Sequence, residues 1–180
     1  MNSFIEQARI YASYHQNRIT RYTHFIGVPL IIFSLMVLLS FLHLVIPGVM
    51  NFTLAGIATL VLLGYYYYLN WRLAMALTVI LFILLGLAHL VTRYGPDSRS
   101  LWTFVITFVL GLALQLAGQI IEGKRPALVD NLWQALIAPM FLTAELFFST
   151  GHMHDLRQQI IGEPQPLAEE PIITENHDKF

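Results

Sequence analysis

From Phe25 onward the chain is a succession of long apolar runs, beginning with "FIGVPLIIFSLMVLLSFLHLVI" at Phe25 to Ile46, and the core of a 180-residue soluble protein cannot cover them all. A bilayer core about 30 Å thick needs roughly 20 apolar residues in a helix. Five segments approach that length: Phe25 to Ile46, Phe52 to Leu69, Leu73 to Thr92, Leu101 to Ile121, and Ala127 to Phe148. Short connections with turn residues separate them, among them "PGVMN", "NWR", "RYGPDSRS" and "EGKRP". The expected fold is therefore all-α, a polytopic transmembrane helical bundle of about five segments. The fifth carries Asp130, Asn131, Gln134, Pro139 and Glu145, so it either spans or enters and leaves on one side against protein.

Two flanking regions differ in character. In residues 1 to 24, Phe4, Ala8 and Tyr11 recur at helical spacing, which predicts a short amino-terminal helix lying along the membrane surface. With no apolar core of its own, this region reads as part of the folded protein and not as a cleaved leader. Residues 25 to 150 form the bundle, and residues 151 to 180 read as a polar, disordered tail. With the amino terminus inside, six Lys and Arg are cytoplasmic (Arg9, Arg18, Arg21, Arg72, Lys124, Arg125) against four elsewhere, a bias toward that orientation.

Composition narrows the chemistry. The chain is 56% hydrophobic and 12% charged with a net charge of −1, and it has no basic block, so nucleic acid is not an expected partner. It has no cysteine, which leaves His, Asp, Glu, Asn and Gln to form any site. Counting spans gathers His15, His24, Asn70, Gln119, Glu122, Asp130 and Asn131 on one side of the membrane, and puts His43 and His89 on the other. Gln115, Gln119 and Glu122 form one helical stripe, and Asp130, Gln134 and Glu145 another, both expected to face the bundle interior.

His15 and His24 are nine residues apart and would oppose each other on one unbroken helix. "NRIT" offers a break, with Asn17 ending one helix and Thr20 capping the next, and a kink there can turn both rings toward one pocket. Structural readings stand beside these. A lone His15 at a membrane edge needs no role, and the glutamine stripe can simply hold helices together. "YYYY" at Tyr65 to Tyr68 reads as an interfacial aromatic belt, and "HMH" at His152 to His154 as a solvated turn.

"YHQNRITRYTHFIGVPLI" followed by "LQLAGQIIEGKRPALVDNL" resembles the membrane family of the yeast 2-hydroxy fatty acid dioxygenase, with the similarity running from about Tyr11 to Leu146. The resemblance implies an Fe(II)-dependent enzyme that uses molecular oxygen to shorten a 2-hydroxy fatty acid by one carbon, in the breakdown of a sphingoid base. It implies His15 and His24 as metal ligands and matches Tyr14, Gly27, Pro29, Gln115, Gly118, Glu122 and Pro126 through Asn131 to motif positions, residue 129 excepted. Three positions depart from the pattern: Gln119 stands where the family usually has His, Thr20 where Asn is frequent, and Asn70 where an acid is common. A Gln oxygen is a poorer iron ligand than imidazole. Either Glu122, one turn beyond Gln119, completes the site, or the metal has been lost and the scaffold kept.

The implied site then has His15, His24, Gln119 and Glu122 as metal donors, with Glu122 and Asp130 as catalytic groups. Lys124, Arg125 and Gln115 are expected to hold the substrate, and Tyr14, Asn70 and Asn131 to orient the donors. Partners are a 2-hydroxy fatty acid or related lipid, oxygen and the surrounding membrane lipid. A bacterial inner membrane is favoured over the endoplasmic reticulum, with the site on the cytoplasmic face. The alternative is a non-catalytic membrane protein with a lipid-binding or assembly role.

Overall fold

The computed structural model describes residues 2–14, 17–46, 50–123 and 132–162. Their order is α1 (Asn2–Tyr14), α2 (Arg18–Ser40), β1 (His43–Ile46), β2 (Met50–Thr53), α3 (Leu54–Leu69), α4 (Trp71–Thr92), α5 (Ser98–Glu122), α6 (Leu132–Ser149) and α7 (His154–Ile161). Among the described residues three helices are long and apolar enough to cross a membrane: Ile19–Ser40 within α2, then α4 and α5. The other two apolar helices are shorter. α3 has 16 residues, about 24 Å of helix against a core of about 30 Å, and the apolar part of α6 is Ala135–Ser149. The long helices turn apolar side chains outward, as Val79, Ile83, Trp102, Ile106 and Ile120 show, a surface that suits lipid and not water.

The break expected before the first span is present, but its cap is different. Asn17, and not Thr20, caps α2: its side-chain oxygen accepts the Ile19 N–H at 2.9 Å. Thr20 lies inside the helix, fully buried, and its hydroxyl donates to the Gly118 carbonyl of α5 at 3.0 Å. α2 ends earlier than its apolar run. Residues 43–46 and 50–53 pair as a short antiparallel ribbon, with His43 opposite Thr53, and the Leu54 N–H donates to Leu42 O at 2.8 Å. That bond ties the start of α3 to the end of α2, so the two helices run antiparallel.

The apolar stripe of α1 docks on protein. Phe4, Ala8 and Tyr11 are buried, and α1 packs on α6 and α7, with the Tyr11 and Phe141 rings 4.9 Å apart. The region from 151, expected to be irregular, contains α7, whose Ile160 is buried. The tyrosine run is split by helical phase: Tyr68 and Tyr67 are exposed, whereas Tyr66 is in the core and its hydroxyl donates to Leu136 O at 2.8 Å.

Candidate active site

Among the described residues α2 and α5 share the most extensive helix contact, and glycine makes it possible. A Cβ added at Gly118 would strike the Thr23 hydroxyl and lie 3.1 Å from His24 Nδ1. The imidazole of His24 therefore sits directly on the α5 backbone. His24 is 3% exposed, and its Nδ1 is 2.9 Å from the carbonyl of Thr20, one turn earlier. A carbonyl can only accept, so Nδ1 carries the proton and Nε2 of the neutral ring keeps its lone pair, the tautomer a metal ligand needs.

His24 stands at one end of a cavity of about 400 Å³ bounded by α2, α3, α5 and α6. Its polar end is built from Tyr11, His24, Gln115, Gln119 and Tyr66; the remaining wall is almost wholly apolar. Oε1 of Gln119 is buried there with no hydrogen-bond partner among the described residues, an oxygen positioned at the cost of its hydration. Burial, and secondarily the charge of Glu145, push the Tyr11 phenol well above its usual range, which keeps it a proton donor. Beside it, Arg21 of α2 and Glu145 of α6 form an ion pair at 2.9 Å.

The structure brings some of the expected residues together and separates others. His24, Gln115 and Gln119 share the cavity. Glu122 lies farther along, where its Oε2 accepts the Asn17 N–H at 3.1 Å; Asn17 is seven residues, about 10 Å of helix, before His24. Asn70 caps α4 by accepting from the N–H groups of Arg72 and Leu73 and does not line the cavity. Tyr14 closes α1. His15, Lys124, Arg125, Asp130 and Asn131 lie outside the described residues, as do the side chains of Tyr14 and Gln134. His43, at the start of β1, and His89, near the end of α4, are exposed at the end of the bundle opposite His24.

Measured against a metal, the described donors are the His24 imidazole, whose Nδ1 is held by the Thr20 carbonyl, and the Gln119 amide oxygen, which has no hydrogen-bond partner among the described residues. Among the described residues no group of three His, Cys, Asp or Glu is placed to hold an ion. Two contributors escaped the sequence argument. Tyr11 was visible only as part of an apolar stripe, and Tyr66 was hidden among identical neighbours, although Thr59, Leu63 and Tyr66 recur at helical spacing.

Two comparisons with known proteins bear on this site. The family model described as "Mpo1-like: 2-hydroxy-palmitic acid dioxygenase Mpo1-like" matches residues 1–150. The 2-hydroxy-palmitic acid dioxygenase MPO1 of Saccharomyces cerevisiae is 32% identical over 156 residues, covering 84% of this chain and 83% of that protein. No solved structure matches the chain.

Proposed function

This chain belongs to the Mpo1-like, 2-hydroxy-palmitic acid dioxygenase family, and on that premise we propose that it oxidises a 2-hydroxy fatty acid held in the cavity to the acid one carbon shorter. One observation carries the reading: an apolar cavity ends on a polar cluster that includes His24, oriented by its Nδ1 contact to the Thr20 carbonyl, and Gln119, whose Oε1 has no partner among the described residues. A cavity of this size lies within the range of about 300–1,000 Å³ found for small-molecule sites. Its apolar body suits an acyl tail and its polar end a carboxylate with an adjacent hydroxyl.

Fe(II) would be held by His24 and His15 with Gln119 or Glu122 as oxygen donor, and when bound it would supply the activation of molecular oxygen. His15 precedes Asn17 by two residues, and Asn17 is the residue bonded to Glu122, which is why Glu122 stays in the set. The Tyr11 phenol, kept protonated by burial, donates to the substrate's oxygens, and the apolar walls exclude water. Gln115 contributes to the same end of the cavity. Lys124 and Arg125 attract the carboxylate, while Tyr14, Asn70, Asp130 and Asn131 orient the donors. Without an external reductant, the balance is one 2-hydroxy acid and one oxygen molecule giving the shorter acid, carbon dioxide and water. α3 and α6 complete the bundle as shorter membrane segments, with the site on the cytoplasmic face of a bacterial inner membrane.

The test is iron content and oxygen uptake of protein purified in detergent without air, reloaded with Fe(II) and given 2-hydroxypalmitic acid. Iron stoichiometric with the chain and equal oxygen and acid consumption are expected. His24→Ala should lose both metal and turnover, the latter by more than about 100-fold, beyond the effect of losing an outer partner. A well-folded wild type that takes up neither iron nor oxygen overturns the reading. That result would favour the lipid-binding alternative, for which Gln119 in place of a histidine is the specific support.

A further inference from the structure

The cavity has a depth axis that the chain topology defines. α2 and α3 run antiparallel, because Leu54 N–H bonds to Leu42 O at one end while His24 and Tyr66 both stand at the polar end. From His24 to Leu39, the limits of the α2 wall, fifteen residues give about 22 Å. On α3 the wall runs from Tyr66 to Ala55, eleven residues or about 16 Å. One leaflet of a bilayer core about 30 Å thick, and hence one acyl chain, is about 15 Å deep. The cavity is therefore as long as one lipid tail.

What leaves space at the deep end is side-chain size. There α3 presents Ala55, Ala58 and Thr59 toward Met36 and Leu39 of α2. The one polar group among them is already satisfied, since the Thr59 hydroxyl donates to Ala55 O at 2.7 Å. Nothing in that wall calls for water or a polar ligand group, and each methylene placed there contributes roughly fourfold to binding.

We infer that Ala58 on α3, facing Leu39 on α2, sets the length of acyl chain the protein accepts. The inference rests on the proposed function for the chemical class of the ligand, and its mechanism is steric. A larger side chain at 58 takes space from the tail's terminal carbons, whereas a smaller one at 39 adds space there. Both changes leave the polar end untouched, so short acids should be indifferent to either.

The experiment is a series of saturated 2-hydroxy fatty acids from ten to eighteen carbons, assayed on the full chain in nanodiscs by direct binding and by oxygen uptake. With Ala58→Phe, a tail two methylenes too long should bind roughly 15-fold more weakly than to wild type, and the ten-carbon acid equally well. Leu39→Ala should move the preference the other way. If the first variant fails to fold, the second still decides by its direction. A uniform loss across all lengths, or an unchanged preference in both variants, overturns the inference. Length-dependent binding that follows the variants without any oxygen uptake by the wild type upholds the ruler and removes the catalytic reading. Uptake whose length preference ignores both variants does the reverse.

Discussion

On the flank of α2 that faces α5, the backbones approach so closely that a Cβ at Gly111 would lie 2.7 Å from Cγ1 of Ile31 and 3.1 Å from the Gly27 carbonyl. On the flank that faces α3, residues almost as small border an open cavity. Smallness thus has opposite results on two sides of one helix. At the α5 seam the glycines lie on the line of contact, and removing their side chains lets the helices close, as small residues do between membrane helices. At the α3 flank Ala55, Ala58 and Thr59 are followed along the helix by Leu62 and Tyr66, larger groups that line the same cavity. Tyr66 is braced by its bond to Leu136 O. The seam fixes His24, and the gap leaves a cavity beside it.

The sharpest way to break that contrast is to place the same residue on both flanks. Gly118→Val drives a side chain into Thr23 and His24 and disturbs the bond from Thr20 to the Gly118 carbonyl. Overpacking of this kind costs about 1–3 kcal/mol, and it should also displace the His24 ring and abolish iron uptake. Ala58→Val enlarges a residue that faces the cavity, so it should change stability by less than about 1 kcal/mol, mostly through helix propensity. Denaturant titration in mixed micelles with parallel iron analysis measures both. Equal losses at the two positions would mean that the α3 flank is as tightly packed as the seam.

A smaller change sharpens the other half of the contrast. Tyr66→Phe keeps the ring that lines the cavity and removes only the hydroxyl that donates to Leu136 O. The part-buried Leu136 carbonyl, inside α6, then loses this one bond, at about 0.5–1.5 kcal/mol. If Tyr66 is the strut between α3 and α6, binding of long 2-hydroxy acids should weaken in this variant more than binding of short ones. A loss of stability with no change in the binding series would make the hydroxyl a fold element alone.

Much of this architecture is legible in the residues, and the gaps have physical causes. Length and apolarity locate α2, α4 and α5 because a helix that crosses a membrane must satisfy its own backbone. The break between α1 and α2 is legible in "NRIT", but two good capping residues compete there. Asn17 takes the cap while Thr20, equally suited by type, is drawn into the α5 seam. β1 and β2 are four residues each, too short for alternation to show against an apolar background. Among the expected site residues, helical phase correctly groups Gln115 and Gln119 on the cavity side. Asn70 escapes it, since its side chain is taken up in capping α4. The cavity itself is not legible at all. Periodicity says which faces meet, whereas their separation depends on the sizes of residues on several helices at once.

The smallest expected effect lies outside both flanks and tests whether they act separately from the rest of α5. Asp97 begins that helix at the end remote from His24. Its carboxylate accepts the Ser100 N–H at 2.8 Å, and the Ser100 hydroxyl accepts the Asp97 N–H in return. The first of these bonds is the main reason the carboxyl is held below the usual carboxylate range. A group that ionises more readily in the folded state stabilises the fold above its unfolded value, and that contribution is lost as the pH falls through the lowered folded value. Unfolding curves of wild type and Asp97→Ala should therefore differ slightly at neutral pH and converge under acid. Iron uptake and chain-length preference should be the same in both at neutral pH. If Asp97→Ala altered either, the position of α5 against His24 would depend on the whole helix, and the seam at Gly27, Gly111 and Gly118 would no longer suffice to explain it.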